Sequence, residues 1–198
     1  PIQKSQLRII GAEWVEFDIY PYRGEALREK LEEMLSAGDI AAIIYSNPNN
    51  PAWICLEEQE LAIIGELATR YDVIVLEDLA YFCMDFRTNM GHPFEPPFAP
   101  TVAKYTDNYI LMLSSSKIFS YAGQRMALLC ISDALFDKRY PALAQRYNDS
   151  GVFGETLIAS ILYMITSGAT ASTQYAYAEM LRLSTEGQLN FVEDTREY

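Results

Sequence analysis

Five polar side chains of different chemical types occur in a fixed order along the chain. Asn50 lies in an Asn-Pro-Asn-Asn-Pro segment, and Asp78 and Tyr81 lie in Asp-Leu-Ala-Tyr. Lys117 follows three serines and precedes Arg125 by eight residues. A lysine amine forms an imine with an aldehyde, an aspartate keeps a ring nitrogen protonated, an amide and a phenol donate to a phenolate oxygen, and a guanidinium binds phosphate. Because pyridoxal phosphate carries all four of these groups, the ordered set predicts a site for that cofactor.

Hydrophobic patterning predicts alternating strands and helices around these residues. Four continuous apolar runs are typical of buried strands: 40–45, 73–76, 109–113 and 126–131. Alternation predicts another strand at 12–19, and helical spacing predicts helices at 25–35 and 61–71. This order indicates an α/β fold of three αβα layers, with a mostly parallel sheet and helices on both faces.

The candidate residues follow the ends of three predicted strands. Asn50 comes after the first buried run, and Asp78 and Tyr81 come after the second. Ser114 begins the segment that leads from the third run to Lys117. Ligands of parallel α/β sheets lie beyond the carboxyl ends of the strands, so three strand ends point to one place.

Helices are predicted in the last third of the chain. An amphipathic pattern covers 134–147, with a proline at 141, and an apolar stripe follows at 157–165. A small-residue segment at 167–170 breaks the pattern, which resumes as a helix at 175–183. We expect these helices to cover the sheet and to lead towards a second domain.

Composition and charge exclude several classes of protein. The 198 residues are half hydrophobic and carry a net charge of −12, which argues against nucleic acid or an anionic membrane surface as a partner. The apolar runs are far shorter than the roughly 20 residues that a membrane helix needs. Composition therefore predicts a soluble domain with no nucleic-acid or membrane partner.

The cysteines and the single histidine narrow the chemistry further. The three cysteines, Cys55, Cys83 and Cys130, lie among apolar neighbours without metal-ligand spacing, which predicts a reducing, cytoplasmic setting. The single histidine, His92, argues against His-based triads and zinc sites. The chain begins at Pro1 with no signal-peptide pattern, so we expect a fragment of a longer protein.

The three motifs together resemble those of class I/II aminotransferases, a fold-type I family of pyridoxal phosphate enzymes, over residues 11–132. The resemblance implies that Lys117 forms the Schiff base with the cofactor and moves a proton to and from the substrate. Asp78 would pair with the ring nitrogen, with Glu77 as the competing carboxylate. Tyr81 and Asn50 would donate to the phenolate oxygen.

The resemblance also assigns the phosphate ligands and the loop shapes. Arg125, Ser114 and Ser116 would bind the phosphate, and Asn50-Pro51 would be a cis peptide. Two positions depart from the family pattern. Ala52-Trp53 stands where the family usually has a small hydroxyl residue and a glycine, and Ala127 stands where a glycine is common. Both departures change loop shape, and neither removes a chemical group.

The implied function is transamination between an amino acid and a 2-oxo acid. Residues 1–184 would belong to the cofactor-binding large domain, and 185–198 would begin a connection towards a small C-terminal domain. The resemblance further implies a homodimer. The alternatives are another fold-type I activity such as a decarboxylase or C-S lyase, a non-catalytic effector-binding domain of a transcription regulator, and a folded fragment that binds no cofactor.

Overall fold

A four-stranded sheet forms the centre of the computed structural model, which describes residues 2–89 and 93–197. His92 therefore lies outside the described residues. The strands are β1 (Ala42–Ser46), β2 (Ile74–Leu79), β3 (Tyr109–Ser114) and β4 (Ala127–Ile131), in the spatial order β1-β2-β3-β4. The first three strands are parallel, and β4 runs antiparallel to β3. The predicted α/β class and the mostly parallel sheet are confirmed.

Helices precede, connect and follow these strands. Their bounds are α1 (Ile2–Ile10), α2 (Ala26–Leu35), α3 (Glu58–Arg70), α4 (Asp133–Phe136), α5 (Pro141–Tyr147), α6 (Phe153–Glu155), α7 (Tyr163–Thr166), α8 (Ala171–Thr185) and α9 (Phe191–Glu197). A π-helix spans Thr156–Leu162 between α6 and α7, and 3₁₀ turns span Tyr20–Tyr22, Val102–Lys104 and Ala122–Gln124. The predicted helices at 25–35, 61–71 and 175–183 correspond to α2, α3 and α8.

Helices α2 and α3 cover one face of the sheet. Leu31 of α2, Leu61 and Leu67 of α3 and Val75 of β2 belong to one buried cluster. Side chains alternate between the faces of a strand, so Glu77 points to the same face as Val75, and Asp78 points to the other. The apolar side chains that pack the sheet against α2 and α3 therefore lie on the helix-covered face, and Asp78 lies on the opposite face.

The predicted strand at 12–19 was wrong. The segment has no regular secondary structure before the 3₁₀ turn at Tyr20–Tyr22. A strand needs a hydrogen-bonded neighbour, and within the described residues β1 pairs only with β2. The alternation has a different origin, because Phe17 and Ile19 pack against the α2–α3 core while Val15 is exposed.

The predicted helix at 134–147 is two helices. Ser132 caps α4, since its hydroxyl accepts a hydrogen bond from the Leu135 N–H at 3.0 Å. Pro141 occupies the first turn of α5 and cannot continue a helix from its amino side. Between the two helices, Arg139 forms an antiparallel bridge with Val152.

The apolar stripe at 157–165 is helical but does not cover the sheet as expected. Ile158 and Ile165 are 55% and 76% exposed. Ser167 ends this helix in the left-handed conformation, at the predicted break. The stripe therefore forms an exposed apolar surface in the described part of the chain.

A second apolar cluster joins the end of the chain to the loop after β3. Phe119 packs against Tyr177 of α8 and Phe191 of α9, with ring centroids 4.9 and 4.5 Å apart. Thr195 donates from its hydroxyl to the Ile118 carbonyl at 2.8 Å. Residues on both sides of position 184 thus share one cluster, and the domain division at 184/185 stays a prediction.

The described residues contain neither a membrane-spanning helix nor a metal-binding cluster. Among the helices of 2–89 and 93–197, none combines the length and apolarity needed to cross a membrane. No group of three or more His, Cys, Asp or Glu side chains in the same residues is arranged to hold a metal ion.

A buried carboxylate fastens the amino-terminal segment to α3. Glu60 is almost fully buried and accepts hydrogen bonds from Arg23 Nη2, Gly24 N and Glu57 N, each at 2.8 Å. Burial alone would raise the pKa of Glu60, but these hydrogen bonds and the Arg23 charge lower it below the usual value. The charged form of Glu60 therefore stabilises the fold.

We expect Glu60→Gln to lower the free energy of unfolding by about 3 kcal/mol at pH 7, because it leaves the partly buried Arg23 guanidinium without its counter-charge. The contribution should be complete above the unfolded carboxyl pKa of about 4.3 and should disappear as the pH falls through the lowered folded value. Urea unfolding at several pH values measures this change.

Glu66→Gln is the matched control, since Glu66 pairs with Arg28 and Arg70 at the surface. It should cost less than about 1 kcal/mol. Equal losses in the two variants would contradict the structural role of Glu60.

Candidate functional site

The carboxyl ends of three parallel strands lie side by side, which brings the predicted site residues to one edge of the sheet. Ser46 pairs with Asp78, and Asp78 pairs with Met112 of β3. Ser114, the last residue of β3, pairs with Ala127, two residues after Arg125. Asp78 and Ser114 are each half-buried. The register of the sheet therefore brings together residues that are far apart in sequence.

The loop after β1 brings Asn50 into hydrogen-bond contact with Tyr81. Asn50 Nδ2 donates to the Tyr81 hydroxyl at 3.1 Å. The Ser46 hydroxyl accepts from Asn49 Nδ2 at 3.0 Å, which ties the loop back to its own strand. Both Asn47-Pro48 and Asn50-Pro51 are cis, so the expected cis peptide at Asn50-Pro51 is confirmed.

Lys117 lies above the ring of Tyr81. Its Nζ is 5.5 Å from the ring centroid, and Lys117 itself is exposed. A hydrogen bond holds the turn that contains Lys117 against the start of β4. Ser115 is fully buried and donates from its hydroxyl to the Met126 carbonyl at 2.8 Å. Tyr81 is thus the residue that links the Asn50 loop to Lys117.

The predicted phosphate ligands occupy the turn between β3 and β4. The Ser114 hydroxyl accepts from the Ser116 N–H at 3.1 Å, so both serines belong to one tight turn. Arg125 is exposed and adopts the left-handed conformation, with φ 54°. Its Nη1 donates to the Ala122 carbonyl at 2.9 Å. The guanidinium retains further N–H groups, which suit a phosphate oxygen.

The structure separates the two adjacent carboxylates, Asp78 and Glu77. Glu77 is fully buried on the face covered by α3 and accepts from the Val102 N–H at 2.9 Å and Asn47 Nδ2 at 3.3 Å. Burial raises the pKa of Glu77, although these hydrogen bonds oppose the rise. Asp78 points to the other face, where its Oδ1 accepts a local bond from the Ala80 N–H at 3.0 Å. Of the two, Asp78 is the carboxylate available to a ligand at this edge.

Sequence reasoning missed two contributors to the site. Asn47 is buried and accepts from the Leu56 N–H at 3.0 Å while donating to Glu77, so it anchors both ends of the loop. Trp53 packs edge-on against Tyr81, with ring centroids 5.5 Å apart. Asn47 is the first residue of the Asn-Pro-Asn-Asn-Pro segment, and its place in that motif was a sequence signal for a role in the site. Trp53 stood out only as a departure from the family pattern.

Comparison with known proteins establishes the family. The family model "Aminotransferase class I and II" matches residues 3–198, and the chain therefore belongs to that family. A histidinol-phosphate aminotransferase of Geobacillus sp. (strain WCH70) is 29% identical over 136 residues, which are 68% of this chain and 35% of that protein. A probable aspartate aminotransferase of Methanocaldococcus jannaschii is 25% identical over 107 residues, 54% of this chain and 26% of that protein. The chain thus spans about a third or less of these relatives.

A solved structure of the family confirms the fold. The aspartate aminotransferase of Thermus thermophilus, as a double mutant, superposes with a TM-score of 0.67 at 19% identity. The match covers 98% of this chain and 44% of that chain. The αβα fold-type I architecture predicted from the sequence is therefore confirmed for this part of the domain.

The burial of Glu77 predicts that the stability of the fold depends on pH through this carboxyl. A carboxyl with a raised folded pKa binds its proton more tightly in the native state, so the native state loses stability as the pH rises from the unfolded value of about 4.3 through the folded value. The stability of the wild type relative to Glu77→Gln should therefore fall over this interval. Urea unfolding of both proteins between pH 4 and 8 measures the difference.

Glu60→Gln is the control of opposite sign, because the pKa of Glu60 is lowered in the folded state. The stability of the wild type relative to Glu60→Gln should rise with pH as Glu60 ionises. A flat difference between the wild type and Glu77→Gln across the range would contradict the assignment of a raised pKa to Glu77.

Proposed function

We propose that this chain is the cofactor-binding part of a pyridoxal phosphate-dependent aminotransferase that transfers an amino group between an amino acid and a 2-oxo acid. The observation that carries the proposal is the position of Tyr81. Tyr81 contacts both Asn50 and Lys117 at the strand-end edge where Asp78 lies. Family membership supports the same activity.

The donor set fits the cofactor group by group. Pyridoxal phosphate, when bound, supplies an aldehyde and a ring that accepts electrons from the substrate. Lys117 would hold the aldehyde carbon through its amine, and Asp78 would keep a proton on the ring nitrogen. Tyr81 and Asn50 would donate to the phenolate oxygen. The hydrogen bond between Asn50 and Tyr81 orients these two donors together.

The phosphate would lie over the turn between β3 and β4. Ser114 and Ser116 supply hydroxyls there, and Arg125 supplies a fork of N–H donors with a fixed charge. Asp78 lies at the same edge of the sheet as this turn, because Asp78 pairs with Met112, two residues before Ser114. A phosphate held by these groups would leave Asp78 for the ring nitrogen and Lys117 for the aldehyde.

Lys117 would also act as the acid and base of the reaction. Its Nζ would take a proton from the substrate α-carbon and return one. The Tyr81 ring presents its face to this amine, with 5.5 Å between Nζ and the ring centroid.

The wider biology of the protein is part of the proposal. The substrates are an amino acid and a 2-oxo acid, and the assembly is a homodimer. Free cysteines at Cys55, Cys83 and Cys130 support a cytoplasmic setting. The large domain would extend to residue 184, with 185–198 beginning the connection to a small domain.

Covalent trapping tests the role of Lys117. We expect borohydride reduction of the full-length protein with pyridoxal phosphate to fix the cofactor on Lys117, identified as one modified peptide by mass spectrometry. Lys117→Arg keeps the charge but cannot form the imine, so it should lose the label and at least about 10³-fold of the turnover. Modification of another lysine in the wild type would overturn the assignment.

Asp78→Asn tests the ring-nitrogen partner. Loss of the carboxylate removes the attraction that keeps the ring proton in place, so we expect turnover to fall by about 10²-fold or more. Labelling of Lys117 by borohydride should persist. Full turnover in this variant would show that another group holds the ring nitrogen.

Product analysis distinguishes transamination from the other activities. Incubation of the full-length protein with a panel of amino acids and 2-oxo acids should yield the 2-oxo acid of the donor and the amino acid of the acceptor. Release of carbon dioxide or a thiol would instead identify a decarboxylase or a C-S lyase. Cofactor binding without any product would favour the effector-binding alternative, and sedimentation of the same protein checks the proposed dimer.

A further inference from the structure

Trp53 occupies a backbone conformation that ordinarily costs a bulky residue free energy. Its φ is 53°, in the left-handed region, where a Cβ approaches the following carbonyl oxygen. Glycine avoids that contact because it has no Cβ. The side chain is 44% exposed, so the hydrophobic core does not account for its presence. Strained residues of this kind occur preferentially at functional sites.

The loop holds Trp53 firmly in this conformation. Trp53 N donates to the Asn49 carbonyl at 2.7 Å, and Asn49 N donates to the Ile54 carbonyl at 2.8 Å. Ala52 N donates to Asn49 Oδ1 at 3.2 Å. Two hydrogen bonds that Asn49 accepts and one that its N–H donates therefore close a tight loop with Trp53 near its end.

The indole ring is directed at Tyr81. The two ring centroids are 5.5 Å apart at an interplanar angle of 72°, an edge-to-face geometry that is favourable for aromatic pairs. Asn50, three residues earlier in the same loop, donates to the Tyr81 hydroxyl. One loop thus contacts both the ring and the hydroxyl of Tyr81, and these two contacts together restrict how the phenol can turn.

We propose that Trp53 is a positioning residue that acts through Tyr81. The edge-to-face contact holds the Tyr81 ring so that its hydroxyl is directed at the phenolate oxygen of the cofactor. This inference rests on the proposed cofactor site, because Tyr81 has that role only there. The strain at Trp53 is then the cost of placing an aromatic ring where glycine would leave Tyr81 free on that side.

The first measurement uses the cofactor-free protein. Label the tyrosines with 3-fluorotyrosine and identify the Tyr81 ¹⁹F resonance by its loss in Tyr81→Phe. Trp53→Gly removes the ring current and the packing contact, so the Tyr81 resonance should shift. Trp14→Gly, the same substitution at the other tryptophan, should leave it in place. An unmoved Tyr81 resonance in Trp53→Gly would overturn the proposal.

The second measurement uses the cofactor-loaded full-length protein. When Tyr81 donates to the phenolate oxygen, that oxygen attracts the proton on the neighbouring nitrogen less strongly, so losing the bond raises the pH midpoint of the visible absorbance. We expect Tyr81→Phe to raise this midpoint and Trp53→Gly to raise it by roughly half a unit, with kcat lower by about three- to tenfold. Trp53→Phe keeps an aromatic edge and should restore both values towards wild type.

The outcomes separate this inference from the proposed function. A wild-type protein with no cofactor absorbance and no Lys117 label would overturn the proposed function, and the role of Trp53 with it. A wild type that binds cofactor, with a raised midpoint in Tyr81→Phe but an unchanged midpoint and kcat in Trp53→Gly, would overturn the role of Trp53 alone. A raised midpoint in Trp53→Gly that Trp53→Phe reverses would support it.

Discussion

The parallel pairing of β2 with β1 and β3 is the constraint on which the site depends. Parallel strands bring their carboxyl ends to one edge, and the register places Ser46, Asp78 and Met112 in one row. The loops that follow these strands therefore begin next to one another. This arrangement brings Tyr81 and Lys117 together, although the local sequence around either residue does not predict the contact.

Buried carboxylates hold the elements that support this edge. Glu60 fastens the segment at Arg23 and Gly24 to α3, and Glu77 joins Asn47 after β1 to the Val102 N–H before β3. Their electrostatics differ. Glu60 faces a guanidinium and remains charged, whereas Glu77 faces neutral donors in a dry environment that favours its proton. Both also accept hydrogen bonds from backbone N–H groups, and that of Val102, the partner of Glu77, belongs to a fully buried residue.

Two loops at the proposed cofactor position contain residues in the left-handed backbone conformation. Trp53, which contacts Tyr81, and Arg125, a proposed phosphate ligand, both have positive φ. Arg125 must turn back from the 3₁₀ turn at Ala122–Gln124 to enter β4, and the left-handed conformation makes that turn. The rigid sheet below these loops supplies the packing that keeps such conformations populated.

The sequence by itself determined the α/β class, the positions of the four strands and the order of the polar residues, because apolar runs and turn residues are local signals. It did not determine the burial of β4, most of whose residues are exposed. It did not determine the state of 12–19, whose alternation reflects packing of Phe17 and Ile19 rather than strand pairing. It favoured Asp78 over Glu77 only through the spacing to Tyr81, because adjacent residues on a strand differ in which face they occupy and the sequence does not show which face is covered. Tertiary structure put Glu77 on the face covered by α3 and Asp78 on the other face. It also brought Trp53 against Tyr81 through a loop closure that no local pattern encodes.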